Sequence, residues 1–179
     1  ASTVEGGRIA YSHIELAERF SDPAYIASFP KGSVGAAYRD FLELTGYSAK
    51  GLAEVSRSDD GFREAAHPYA WFGRRMRDLH DVWHVLTGYK ADDPLGEACL
   101  VAFSYAQSGG LGWALIATGV GLKALCRGEW VAARAIWEGY RRGKAAVWLP
   151  GEDVEALLAE PLDQARQRLG LTPPLAYRG

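Results

Sequence analysis

Between Pro68 and Gly88 the apolar residues Phe72, Met76, Leu79, Trp83 and Leu86 recur at steps of four and three. A strand face repeats every second residue and a helix face about every 3.6, so this stretch can bury one side only as a helix. The spacing predicts a helix over about 68–87, with Pro68 in the first turn and Gly88 as its stop. The rest of the chain carries the same punctuation. Asp22-Pro23 reads as an N-cap and first turn opening "AYIASF", Ser33 can cap "VGAAYRDFLELT", and Gly46 can close it. Asp93-Pro94 opens a helix that should reach about Gln107. A further helix is expected over Glu129 to Gly143, basic toward its C-terminal end as the helix dipole favours. Short helices are expected near 49–57, 153–159 and 162–169, with a turn at Ser58 to Gly61. "QSGGLG" should break the chain before a second apolar helix, "WALIATGVGLKAL". Strand alternation is nearly absent and no internal repeat is visible. The expectation is an all-α protein, a single compact helical domain spanning residues 1–179.

Composition excludes several classes. At 179 residues the chain can bury a real core, and 48% hydrophobic with 23% charged residues is a globular balance. A net charge of -2 without any block of like charges argues against a nucleic-acid partner. Cys99 and Cys126 sit in apolar runs without a Cys-x-x-Cys motif, so both are expected to be buried thiols of a reducing compartment. No run reaches the roughly 18 to 20 apolar residues that cross a bilayer; Leu111 to Leu122 comes nearest and is followed by Lys123. No secretory signal is visible. The chain opens at Ala1 and its single methionine is Met76, so the native start is expected upstream and targeting is not settled.

The chemistry gathers around the long helix. His80 and His84 lie one turn apart on one side, at the border of the apolar stripe, and Asp81 is the next position round. Histidines at i and i+4 are the arrangement of the His-Glu-x-x-His zinc proteins, although Asp81 does not occupy their general-base position, which weakens a metallohydrolase reading. Glu97 falls in the first turn of the next helix, and the next formally charged side chain is Lys123. A bare carboxylate in so apolar a helix is unfavourable unless protonated, paired or metal-bound. A short connection makes the two helices neighbours, so Glu97 can return to the level of His84. His80, Asp81, His84 and Glu97 would then surround a divalent metal. Two nitrogens and two carboxylates suit zinc, iron or manganese, and the spacing does not select among them. Each residue also has an ordinary role: His84 as a core histidine, Asp81 as a surface partner of Arg77, Glu97 as an acid at a helix start. From the residues alone both accounts stay open. His67 and His13 read as loop or packing residues.

His80-Asp81-x-x-His84 followed by Leu95-Gly96-Glu97 resembles the signature of the Coq-four family of ubiquinone (coenzyme Q) biosynthesis proteins. "RMRDL" before it, "AQSGGLG" after it, "EGYRRGKAAVWLP" and "EDVEALLAEPLDQARQRLGL" resemble other parts of that family's pattern, so the likeness covers most of the chain from about Asp22. Twelve residues separate His84 from Glu97, one more than the family pattern, an insertion that the intervening turn should absorb. The resemblance implies that His80, Asp81, His84 and Glu97 are ligands of a divalent metal, most simply zinc, with iron or manganese as alternatives. It implies oxidative decarboxylation at ring carbon C1 of a polyprenylated hydroxybenzoate-derived precursor, that carbon becoming hydroxylated. It also implies a scaffold role among other ubiquinone-biosynthesis proteins, peripheral contact with a membrane surface and a homodimer. The expected location is cytoplasmic at the inner membrane in a bacterium, or the matrix face of the mitochondrial inner membrane in a eukaryote.

On that reading Arg77, one turn before the motif, is a candidate catalytic residue that would neutralise Asp81 or orient a substrate carboxylate. Trp113, Leu115, Ile116 and Val120 are candidate contacts for an isoprenoid tail, or else core or dimer-interface residues. Arg141, Arg142 and Lys144 form a basic cluster that would face anionic head groups or simply end a solvated helix. No Gly-x-Gly-x-x-Gly follows a strand, so no nicotinamide or flavin cofactor is expected.

Overall fold

The structure is a computed structural model that describes residues 16–46, 68–110, 119–124 and 126–178. Among the described residues the regular elements are helices: α1 (Leu16–Phe20), α2 (Pro23–Ala27), α3 (Val34–Thr45), α4 (Pro68–Thr87), α5 (Pro94–Ser108), α6 (Trp130–Ala145), a 3₁₀ turn (Leu149–Gly151), α7 (Val154–Ala159) and α8 (Leu162–Arg168). The expected all-α class holds. The helix ends follow local chemistry. Asp22, Ser33 and Asp93 accept hydrogen bonds from Ala24, Ala36 and Leu95 backbone N–H groups, as capping side chains should. Gly46 and Gly88 take positive φ where α3 and α4 stop. The expected helix at 49–57, the turn at Ser58 to Gly61, and Trp113, Leu115 and Ile116 lie outside the described residues.

Contacts gather into two compact units, Ala1–Val82 with Pro150–Pro161, and Trp83–Leu149 with Leu162–Gly179. In the first, α3 packs on α2 and α7. A Cβ on Gly35 would come within 2.4 Å of the Phe29 ring, so only glycine admits that ring against α3. The chain after α7 closes on α3 through Val34 N–H to the Glu160 carbonyl at 2.9 Å. Arg75 donates to the carbonyls of Pro150 and Glu152, at 3.1 and 2.9 Å. Phe20, Ile26, Tyr38, Met76, Leu79, Val82 and Leu158 are buried here.

The second unit is built on α5 and α6. Gly139 and Gly143 lie one turn apart on α6, and a Cβ on either would meet backbone oxygen of α5, Cys99 at 2.5 Å or Phe103 at 2.6 Å. The two backbones therefore touch without side chains between them. Gln107 ties the joint: its Nε2 donates to the Gly143 carbonyl at 2.7 Å and its Oε1 accepts from Leu149 N–H at 2.8 Å. Residues Ala98 to Ser104 are buried without interruption, as the apolar composition of α5 anticipated.

Two expectations need correction. Cys99 is buried but Cys126 is exposed, because it lies at a helix end just before the Arg127-Gly128 turn. Arg142 does not share a surface cluster with the exposed Arg141 and Lys144: it points inward and donates to the carbonyls of Thr87, at 2.9 Å, and Thr172. Helical periodicity separates adjacent residues by ~100°, so a run of three cations need not share a face.

Candidate metal centre

His84 stands in the last turn of α4 and is 2% exposed. Its Nδ1 lies 2.8 Å from the Tyr89 carbonyl oxygen. A carbonyl only accepts, so Nδ1 carries the proton and the lone pair of a neutral ring is on Nε2. That nitrogen lies 3.1 Å from Glu97 Oε1. Two lone pairs at this separation require a cation between them, either a proton, on the ring or on the carboxyl, or a metal ion. A backbone carbonyl that fixes the far nitrogen is the usual support of a metal-binding imidazole.

His80 lies one turn earlier on the same continuous helix. One ligand atom from each of His80, His84 and Glu97 falls within 4.8 Å of the others. The residues present fit a divalent cation: two imidazoles and a carboxylate, from two helices, with one ring already oriented. Asp81 is not in this converging set. It is 3% exposed, and its Oδ1 lies 3.5 Å from His80 Nδ1. Its carboxylate thus flanks the His80 ring, at the long end of hydrogen-bonding distance.

Glu97 departs from the buried acid expected of its neighbours, since its side chain is 38% exposed. It sits in the first turn of α5, and the continuously buried stretch begins at Ala98. Arg77 does not reach Asp81. Its Nε and Nη2 both meet Asp78 Oδ1, at 2.9 and 2.8 Å. The Asp78 side chain is almost fully buried and needs a cation, and the adjacent guanidinium supplies it. Near Asp78 and Asp81 the buried Tyr38 hydroxyl is held well above the usual phenol range, first by burial and then by those two carboxylates. Val120, the one described member of the expected tail-contact set, is 39% exposed.

Sequence reasoning did not find the Tyr89 carbonyl, because a main-chain acceptor leaves no mark in residue identity. It also missed Arg166, whose Nε and Nη2 donate to the Leu86 and Val85 carbonyls at 3.1 and 2.9 Å. With Arg142 on Thr87, two guanidiniums satisfy the free carbonyl end of the helix that carries both histidines, where positive charge suits the dipole.

The described residues form a helical protein in which His80, His84 and Glu97 could together hold a metal ion. The family described as coenzyme Q (ubiquinone) biosynthesis protein Coq4 matches residues 1–174, and the chain belongs to that family. It is 29% identical over 177 residues to the mitochondrial ubiquinone biosynthesis protein of Pyrenophora tritici-repentis, covering 94% of this chain and 56% of that protein. The Bos taurus homologue, also named mitochondrial, is 28% identical over 179 residues, covering 98% and 64%. The chain thus spans less than two thirds of the length of these relatives. A solved structure from Nostoc punctiforme PCC 73102 shares the fold, with a TM-score of 0.60 at 19% identity over 94% of this chain and 82% of that one.

Proposed function

We propose that the chain is a metal-dependent enzyme of ubiquinone biosynthesis that carries out oxidative decarboxylation at C1 of a polyprenylated hydroxybenzoate-derived precursor. The observation that carries this reading is the 3.1 Å approach of His84 Nε2 to Glu97 Oε1, with Nδ1 already committed to the Tyr89 carbonyl. His80, His84 and Glu97 would hold the ion, zinc in the simplest case and iron or manganese as alternatives, with Asp81 orienting His80. A bound divalent cation would supply Lewis-acid stabilisation of charge as the C1–carboxylate bond breaks. The net change breaks the C1–carboxylate bond to release CO₂, forms a C1–oxygen bond with an oxygen from water, and passes two electrons and two protons to dioxygen, which leaves as hydrogen peroxide. The half-exposed Glu97 leaves the centre open on one side to a substrate head group. Arg77, paired with the buried Asp78, would orient the substrate carboxylate from one turn before the motif.

A second reading has its own support: a non-catalytic, metal-containing scaffold that binds prenyl lipid and organises other proteins of the pathway. Trp130, Val131 and Trp137 are 70%, 71% and 61% exposed on α6, beside the exposed cations Arg134, Arg141 and Lys144. An apolar face rimmed by positive charge suits docking more than catalysis.

Elemental analysis of the purified chain, with CO₂ release from a prenylated hydroxybenzoate in oxygen, separates the readings. His84→Ala and Glu97→Ala are expected to lose the metal and CO₂ release together while keeping wild-type helical content. Wild-type turnover in either variant would falsify the enzymatic mechanism. Metal bound at full stoichiometry with no CO₂ release by the wild type favours the scaffold.

A further inference from the structure

The turn between α4 and α5 carries the carbonyl that orients His84, and three elements converge on it. A Cβ on Gly96 would lie 2.2 Å from Lys90 O, 2.9 Å from Lys90 N and 2.9 Å from the Tyr177 hydroxyl oxygen. The turn, the first turn of α5 and a phenol from the far end of the chain therefore meet at one point. The Tyr177 hydroxyl accepts from Lys90 N–H at 3.3 Å. The Asp93 carboxylate, whose Oδ1 caps α5 through Leu95 N–H at 3.0 Å, is its neighbour. Its ring meets the Tyr89 ring edge-on, with centroids 5.3 Å apart. Tyr177 is held in turn. Both Glu138 carboxylate oxygens accept backbone N–H bonds just before it, from Leu175 at 2.9 Å and Ala176 at 2.7 Å. Arg142 binds the Thr172 carbonyl and lies 4.9 Å over the Tyr89 ring.

We propose that Tyr177 is a positioning residue of the metal centre: its hydroxyl locks the Tyr89–Asp93 turn, and so sets the separation of His84 and Glu97. The proposal rests on the metal-binding reading of the site. Burial supports it, since the side chain of a residue only 5% exposed is kept in one place. A hydroxyl that accepts from the main chain of the turn while it abuts Gly96 in the first turn of α5 cannot be replaced by packing alone.

Tyr177→Phe removes the hydroxyl and keeps the ring. Two quantities are measured on the full chain: zinc affinity by chelator competition, and the His84 Nδ1–H resonance in ¹⁵N-labelled protein. The variant is expected to keep its helical circular dichroism, to bind zinc about tenfold more weakly, as loss of an outer support typically does, and to lose protection of the Nδ1 proton against exchange with solvent. Wild-type zinc affinity in the variant overturns the proposal. Should the wild-type chain itself take no zinc, the metal-binding reading fails, and the ring proton decides alone: its loss in the variant upholds the lock, its persistence overturns it.

Discussion

Gly96 stands one position before Glu97 and has no room for a side chain. The nearest obstacle to a Cβ is the Lys90 carbonyl at 2.2 Å, which is main chain and moves only with the turn. Gly96→Ala gains helix propensity, about 1 kcal/mol in an ordinary interior position. That gain is outweighed by overpacking, which typically costs about 1–3 kcal/mol. The variant is expected to melt several degrees lower in a calorimetric scan and to bind zinc more weakly, because the displaced turn carries the Tyr89 carbonyl. An unchanged melting temperature would show that the turn yields freely. The site was half legible at this scale. His80, His84 and Glu97 were readable because helical spacing and a short turn constrain where they go. The Arg77–Asp78 pair was not, since neighbours in a helix rarely face each other and only the burial of Asp78 makes the pairing necessary.

The elements were the most legible level. Pro68–Thr87, Pro94–Ser108 and Val34–Thr45 begin and end where proline, capping side chains and glycine dictate, and these signals act within a few residues. What joins the elements was less visible. Gly139 and Gly143 look like poor helix formers until α5 is seen against them. A Gly139→Ala change gains intrinsic helicity yet sets a Cβ 2.5 Å from the Cys99 carbonyl oxygen. It is therefore expected to lower stability by about 1–3 kcal/mol, a drop in melting temperature of several degrees for a chain of this size. The same change at Gly73, whose Cβ would meet nothing within 4 Å, should be neutral or stabilising and serves as the control.

Across the molecule the ionisable groups of the second unit set a response to alkali. Burial raises Cys99 from 9.0 to about 12, and Tyr89 from 10.0 to about 12. Tyr177 rises from 10.0 to about 12, by burial first and then by the neighbouring Asp93 carboxylate. In each case the folded state holds its proton more tightly than the unfolded chain. Their contribution is whole below about pH 9 and is lost as pH climbs toward 12. Chemical denaturation midpoints should be flat from pH 7 to 9 and fall steadily above that; a midpoint holding level to pH 11 would contradict this. No helix among the described residues is long and apolar enough to cross a membrane.

The sequence by itself determined the helices, their caps and the histidine pair, because each depends on contacts within one or two turns of chain. Tertiary structure alone decided which proton His84 keeps, which acid Arg77 neutralises, and that a tyrosine near the C-terminus braces the turn beside Glu97. Those outcomes follow from main-chain groups and distant segments meeting in space. A backbone carbonyl is the same atom at every residue, and only the packed fold determines which one faces His84.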